Sequence, residues 1–131
     1  MQDLEEVREY LGWNIRGDGV ESFVFAMHDT PQSALGWVVL MDRKNNTAET
    51  GYMLRPDCRG HGYAREATAA VIEHGFTTRG LRRIYADTDP DNAGSINLLE
   101  SLGFQLEGRL RAAWETHIGV RDSLIFGRVR S

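Results

Sequence analysis

Arg59-Gly60-His61-Gly62 sits between a strand-like run ending at Leu54 and a helix-like run that follows Gly62. A helix N-terminus presents unpaired N–H groups and a partial positive charge. Glycine permits unusual dihedrals and lets a ligand approach the main chain. Together these features make a cradle for phosphate. The amides of Arg59, Gly60, His61, Gly62, Tyr63 and Ala64 would donate to it, and Arg59 and Arg65 would add charge. A plain strand-to-helix turn would use the same glycines, so both readings stay open on this loop alone. No G-x-x-x-x-G-K-[ST] occurs and no G-x-G-x-x-G occurs here, which argues against a P-loop and a Rossmann site.

The elements that would carry this loop follow from periodicity. Asp3 and Glu6 have capping-box spacing and Leu4, Val7 and Leu11 form a stripe, which predicts a short N-terminal helix. Gly17-Asp18-Gly19 breaks it. Ser22–His28 and Ala34–Met41 are β-branched and aromatic, with Thr30-Pro31 between them, and Thr47–Leu54 follows the Asp42–Asn46 turn. These three predict an antiparallel meander. Ala64, Ala67, Thr68, Val71, Ile72, Gly75 and Phe76 then recur at helical spacing up to Gly80. Arg82–Thr88 predicts a strand. A turn at Asp89-Pro90-Asp91-Asn92 leads into a second helical stripe of Ser95, Leu98, Leu99 and Leu102, closed by a Gly103 cap. Phe104–Trp114 and Asp122–Val129 predict two last strands around a turn at Gly119. The fold class is α/β (α+β): a mixed, mostly antiparallel sheet with helices on both faces.

The 131 residues suit a single domain over 1–131, long enough to bury a core without staples. The net charge of −4 disfavours nucleic acid as a partner. No apolar run is long enough for a bilayer span, and the acidic MQDLEEVREY is not a secretory leader. The lone Cys58 excludes an internal disulfide and fits a reducing, cytoplasmic compartment. Lys44 is the only lysine, so the positive charge is nearly all arginine.

R-x-x-G-x-A, spelled Arg59 to Ala64, resembles the acyl-CoA loop of the GNAT N-acetyltransferases. Gly51-Tyr52-Met53-Leu54-Arg55-Pro56 and Ala64-Arg65-Glu66-Ala67 resemble its RimJ/RimL-like branch, which acetylates ribosomal-protein N-termini. Asn92-Ala93-Gly94-Ser95 with Leu102-Gly103-Phe104, and then Gly119 with Asp122, match that branch's N-x-x-S…LGF and G-x-x-x-D. The resemblance runs from about Gly36 to the C-terminus. It implies acetyl-CoA as co-substrate, a primary amine as acceptor, no metal, and direct attack in a ternary complex. The pyrophosphate would lie on the Arg59–Ala64 amides. The pantetheine arm would run strand-like along Met53, Leu54 and Arg55, in a splay between that strand and Arg82–Thr88.

The resemblance also suggests roles. Ser95 would donate a hydrogen bond or proton to the departing sulfur, because the family's tyrosine position is Leu99 here. Asn92 would bind the pantetheine, cap the helix, or both. A backbone N–H near Leu54 would serve the oxyanion. Glu49 is the first candidate base, with Glu115 and His117 as alternatives; direct alignment puts Trp114 at the Glu115 site, and neighbours on a strand face opposite ways. Trp114 is the candidate pocket wall, Trp37 is expected in the core, and Trp13 is unassigned. Cys58 has no expected role. Only one short helix precedes the meander, so the family's usual first strand and acceptor-side helix are expected to be missing, and an uncovered sheet edge would favour a homodimer. A catalytically inactive acyl-CoA-binding module and an unrelated α/β interaction domain are the rival readings.

Overall fold

A computed structural model describes residues 2–7, 10–27, 34–54 and 63–130, with side chains described over 17–25, 36–53 and 65–130. The strands are β1 (Gln2–Val7), β2 (Tyr10–Gly17), β3 (Val20–Met27), β4 (Ala34–Arg43), β5 (Thr47–Leu54), β6 (Arg83–Thr88), β7 (Gln105–Thr116) and β8 (Gly119–Val129). The helices are α1 (Tyr63–Thr77) between β5 and β6, and α2 (Ala93–Ser101) between β6 and β7. One eight-stranded sheet runs β1-β2-β3-β4-β5-β6-β8-β7. Among the described residues only the β5–β6 pairing is parallel, and α1 lies in the crossover that a parallel pair requires.

The N-terminal helix expected from Leu4, Val7 and Leu11 is corrected: β1 and β2 form a hairpin instead, with Leu4 opposite Trp13. The 3–4 spacing of three apolar residues is weak beside a continuous ladder. Tyr10–Gly17 pairs with β3 along its whole length, and this tertiary pairing overrides local pattern. Gly17 faces Val20 across Asp18 and Gly19, whose φ angles are 51° and 76°. A two-residue hairpin loop with both φ values positive favours Asp-Gly. A strand therefore does precede the meander, and α1 is the first helix among the described residues.

Alternation sets the two faces. Phe23, Phe25, Val38, Leu40, Ala48, Ile84, Ala86 and Phe126 turn to one side, where Ala67, Val71, Ile72 and Phe76 of α1 and Leu99 of α2 cover them. Leu40, Ile72, Ile84 and Leu99 are fully buried; each such side chain contributes roughly 1.5–3 kcal/mol. Both described helices lie on this side, so helices on both faces are not found among the described residues. The other face bears Trp37, which is 42% exposed beside Met53 rather than in the core. Its odd position on β4, between buried Gly36 and Val38, turns it outward.

The end of α2 is fixed by its sequence. Gly103 has φ of 86°. Phe104 N–H donates to the Leu99 carbonyl at 3.0 Å and Gly103 N–H to that of Glu100 at 3.1 Å. This is the Schellman arrangement, closed by contact between an apolar residue beyond the glycine and the last turn. It seats Phe104 in the core and launches β7.

Candidate functional site

The parallel ladder between β5 and β6 is short. It joins Thr47 to Arg83, Ala48 to Ile84 and Glu49 to Tyr85, yet β5 continues to Leu54 and β6 to Thr88. Beyond Glu49 the two strands form a fork, and the β6-facing edge of Thr50–Leu54 has no strand partner among the described residues. Ligands of α/β sheets bind outside the carboxyl ends of parallel strands, where such openings lie.

On the open face, the fork adjoins a cleft of about 350 Å³. Among the described residues, Glu49, Asp87, Asp89 and Asp122 supply its carboxylates and Arg121 its one cation. Trp114, Thr88 and Thr116 complete the wall. Glu49 is the last residue of β5 paired to β6, with its carboxylate 2.9 Å from Arg43. Asp87 stands two residues beyond Tyr85 on the same face of β6. It accepts from the Ser123 hydroxyl and, at 3.4 Å, from the Trp114 indole N–H, but has no cation partner among the described residues. Asp89 receives both Nε and an Nη of Arg121, at 2.9 and 2.8 Å, while Arg121 also reaches Asp91 at 2.5 Å. Those Arg121 hydrogen bonds, then the Asp91 N–H, pull the Asp89 carboxyl down to about 2. Arg121 is thus already engaged, and the cleft retains a net negative character.

The far wall depends on an irregular strand. Between Leu110 and Trp114 the β7–β8 register advances four residues on β7 against two on β8, with Ala112 at φ 51°. Asp122 holds this bulge, accepting the Ala112 N–H at 2.8 Å and Arg109 Nε at 2.8 Å. The Ala112 amide first, and Arg109 second, lower its carboxyl below the usual range. Bulges re-aim side chains, and Trp114 lines the cleft. Gly119, at φ 109°, turns the hairpin that returns Asp122 to the bulge.

On the helix-covered side, Asn92 caps α2 by accepting the Ser95 N–H at 3.0 Å. The Ser95 hydroxyl is hydrogen-bonded to the Tyr52 hydroxyl, which also lies 3.4 Å from the Ser95 carbonyl oxygen. Burial pushes the Tyr52 phenol up, and the Ser95 contact partly offsets this.

The structure therefore brings Glu49 and Trp114 to one cleft and places Ser95 and Asn92 together at the start of α2. It does not bring Glu115 there: that residue is exposed on β7 and absent from the cleft wall, and His117, exposed in the turn after β7, is absent from it too. Met53 is exposed, and Leu54 pairs with Gly36 at the end of β5. Tyr63 and Ala64 open α1. Arg55, Cys58, Arg59, Gly60, His61 and Gly62, and with them most of the phosphate cradle, lie outside the described residues, as does the side chain of Trp13. Arg65 bonds Ser101 Oγ at 3.1 Å and its carbonyl at 3.3 Å, tying α1 to α2. Tyr52, Asp87, Asp89 and Arg121 join the site only in the structure. Alternation along Arg82–Thr88 could have put Asp87 on the Glu49 face, had the parallel register been known.

The acetyltransferase (GNAT) domain model matches residues 1–105. An uncharacterized N-acetyltransferase p20 of Bacillus licheniformis is 47% identical over 72 residues, covering 55% of this chain and 40% of that protein. Spermidine N(1)-acetyltransferase of Vibrio cholerae is 26% identical over 111 residues, covering 83% of this chain and 63% of that protein. The chain thus spans less than two thirds of either relative. Among solved structures, an acetyltransferase (GNAT family) from Bacillus anthracis superposes with a TM-score of 0.76 at 25% identity, over 82% of this chain and 65% of that one. With a fork at its central strands and a family match over most of its length, this chain belongs to the GNAT acetyltransferase domain family.

Proposed function

We propose that the chain carries an acetyl-CoA-dependent N-acetyltransferase activity on a cationic primary amine of the polyamine class. The observation that carries this reading is the fork between β5 and β6 opening beside a cleft with four carboxylates and one engaged arginine. The spermidine N(1)-acetyltransferase of Vibrio cholerae, among its relatives, supports the acceptor class.

The pantetheine arm would pair with the edge of β5 that lacks a strand partner among the described residues, at Met53 and Leu54, and with Arg55 after it, and its pyrophosphate would rest on the amides of Arg59–Ala64. The acceptor nitrogen attacks the thioester carbonyl directly. The carbon–nitrogen bond forms, the carbon–sulfur bond breaks, and the electron pair leaves on sulfur. Glu49 takes the amine proton, directly or through a water, and Ser95 donates a hydrogen bond to the sulfur. A backbone N–H near Leu54 serves the oxyanion; such a donor is worth about 2.7–4 kcal/mol. Asp87 and Asp89 hold a second ammonium of the acceptor.

A thiol-release assay with acetyl-CoA against spermidine, spermine, a monoamine and an alanine-initiated peptide tests this. Turnover should be highest with the polyamines, and their KM should rise with salt. Preference for the peptide would move the acceptor to the RimJ/RimL-like class. Coenzyme A binding without release by any amine would replace the enzyme reading with that of a binding module.

A further inference from the structure

Tyr52 occupies the part of β5 that has left the β6 ladder. Its hydroxyl meets Ser95 at the start of α2, so the contact spans from one arm of the fork to the helix that follows the other. Ser95 is fixed there in two ways. Its backbone N–H is held by the Asn92 cap at 3.0 Å, and its hydroxyl is held only by Tyr52 among the described residues. One turn further along α2, Leu99 is fully buried and offers no polar atom, so α2 has no group of its own there to orient the serine.

We infer that Tyr52 is a positioning residue for Ser95: its phenol donates to Ser95 Oγ in preference to the more distant Ser95 carbonyl at 3.4 Å, which leaves the serine hydrogen free to point at the departing sulfur. This rests on the role given to Ser95 above. Donation from Tyr52 also polarises the serine O–H, since hydrogen bonds in a chain strengthen one another. No proton leaves the pair. Sulfur departs with its electron pair, Ser95 keeps its hydrogen while bonding to the thiolate, and Tyr52 stays neutral, as its buried setting favours.

A double-mutant cycle with acetyl-CoA and spermidine tests the inference. Ser95→Ala should lower kcat about 100-fold, within the range for such groups. Tyr52→Phe should lower kcat about tenfold and leave the KM for acetyl-CoA within about threefold. In the Ser95→Ala background, Tyr52→Phe should cost nothing further, because it acts through the missing hydroxyl. Calorimetric coenzyme A affinity and an unchanged melting temperature establish that each variant is folded. Multiplicative losses, or a raised KM at unchanged kcat, would overturn the positioning role and leave acetyl transfer standing. A folded wild-type chain that binds coenzyme A but releases no thiol would overturn both readings.

Discussion

The Asp122 carboxylate receives the Ala112 amide at 2.8 Å, and through that contact a residue of β8 sets the path of β7. Ala112 sits at φ 51°, a conformation that L-residues adopt only at a cost. The carboxylate offsets that cost and holds the bulge that brings Trp114 to the cleft. Asp122→Ala should therefore raise the KM for the amine about tenfold, on the order of one charge-assisted hydrogen bond. The KM for acetyl-CoA should hardly move, and tryptophan emission should shift as Trp114 relaxes. Asp122→Asn keeps an acceptor oxygen and should fall between. Unchanged emission and KM in Asp122→Ala would mean that the bulge stands without its anchor.

Asp89 and Arg121 make a pH-dependent tie between the β6–α2 turn and β8. The folded carboxyl is held at about 2 against an ordinary 3.8. A depressed carboxylate contributes stability that is complete above its unfolded pKa and is lost as pH falls through the folded one. The melting-temperature gap between wild type and Asp89→Asn should thus be steady above about pH 4 and close toward pH 2. The pair is only partly buried, so added salt should narrow the gap at neutral pH. A gap that widens on acidification would contradict the assignment.

Legibility in the sequence followed the strength of local signals. The face of α1 was readable because Ala67, Thr68, Val71, Ile72, Gly75 and Phe76 repeat at helical spacing and are all buried. Gly103 marked its helix end because only a left-handed cap explains a glycine before a buried phenylalanine. The helix expected from Leu4, Val7 and Leu11 is a strand hairpin, since a strand whose identity comes from its neighbour's ladder carries little local pattern. Trp37 lies outward against the expectation of burial, because bulk argues for the core while strand parity decides the face. At the site, the motif residues Asn92, Ser95 and Asp122 were visible as letters, and Glu49 as a lone acid. What hid the acidic cleft was register: Glu49 opposite Tyr85, and hence Asp87 on the same face, follows from a parallel pairing 36 residues apart in the chain.

Thr68 is buried within α1 and its hydroxyl finds no partner among the described residues. An unsatisfied buried hydroxyl costs about 1–3 kcal/mol, and valine keeps its shape. Thr68→Val should raise the unfolding free energy by about 1–2 kcal/mol in urea titrations. A loss of stability would mean that the hydroxyl is bonded in solution, for example to a buried water.

Glu49 is placed to take a proton and also to attract a cation, and pH separates the two roles. A primary amine on an alkyl chain has a pKa near 10.4, so at neutral pH the acceptor arrives charged and must lose a proton before attack. If Glu49 receives it, Glu49→Gln should lower kcat/KM about 100-fold near pH 7, as for a general base. The deficit should shrink toward pH 10, where solvent has already supplied the free amine. If Glu49 only attracts the ammonium, the KM for spermidine should rise while kcat holds, and the deficit should follow the charged fraction of the amine without any change in kcat. Arg43 sharpens the comparison, because its guanidinium pairs with Glu49 at 2.9 Å and competes for the same carboxylate. Removing it with Arg43→Ala frees the carboxylate for either role, so kcat should rise under proton transfer and the KM for spermidine should fall under simple attraction. A pH-independent ratio of wild type to Glu49→Gln in kcat would remove Glu49 as the base.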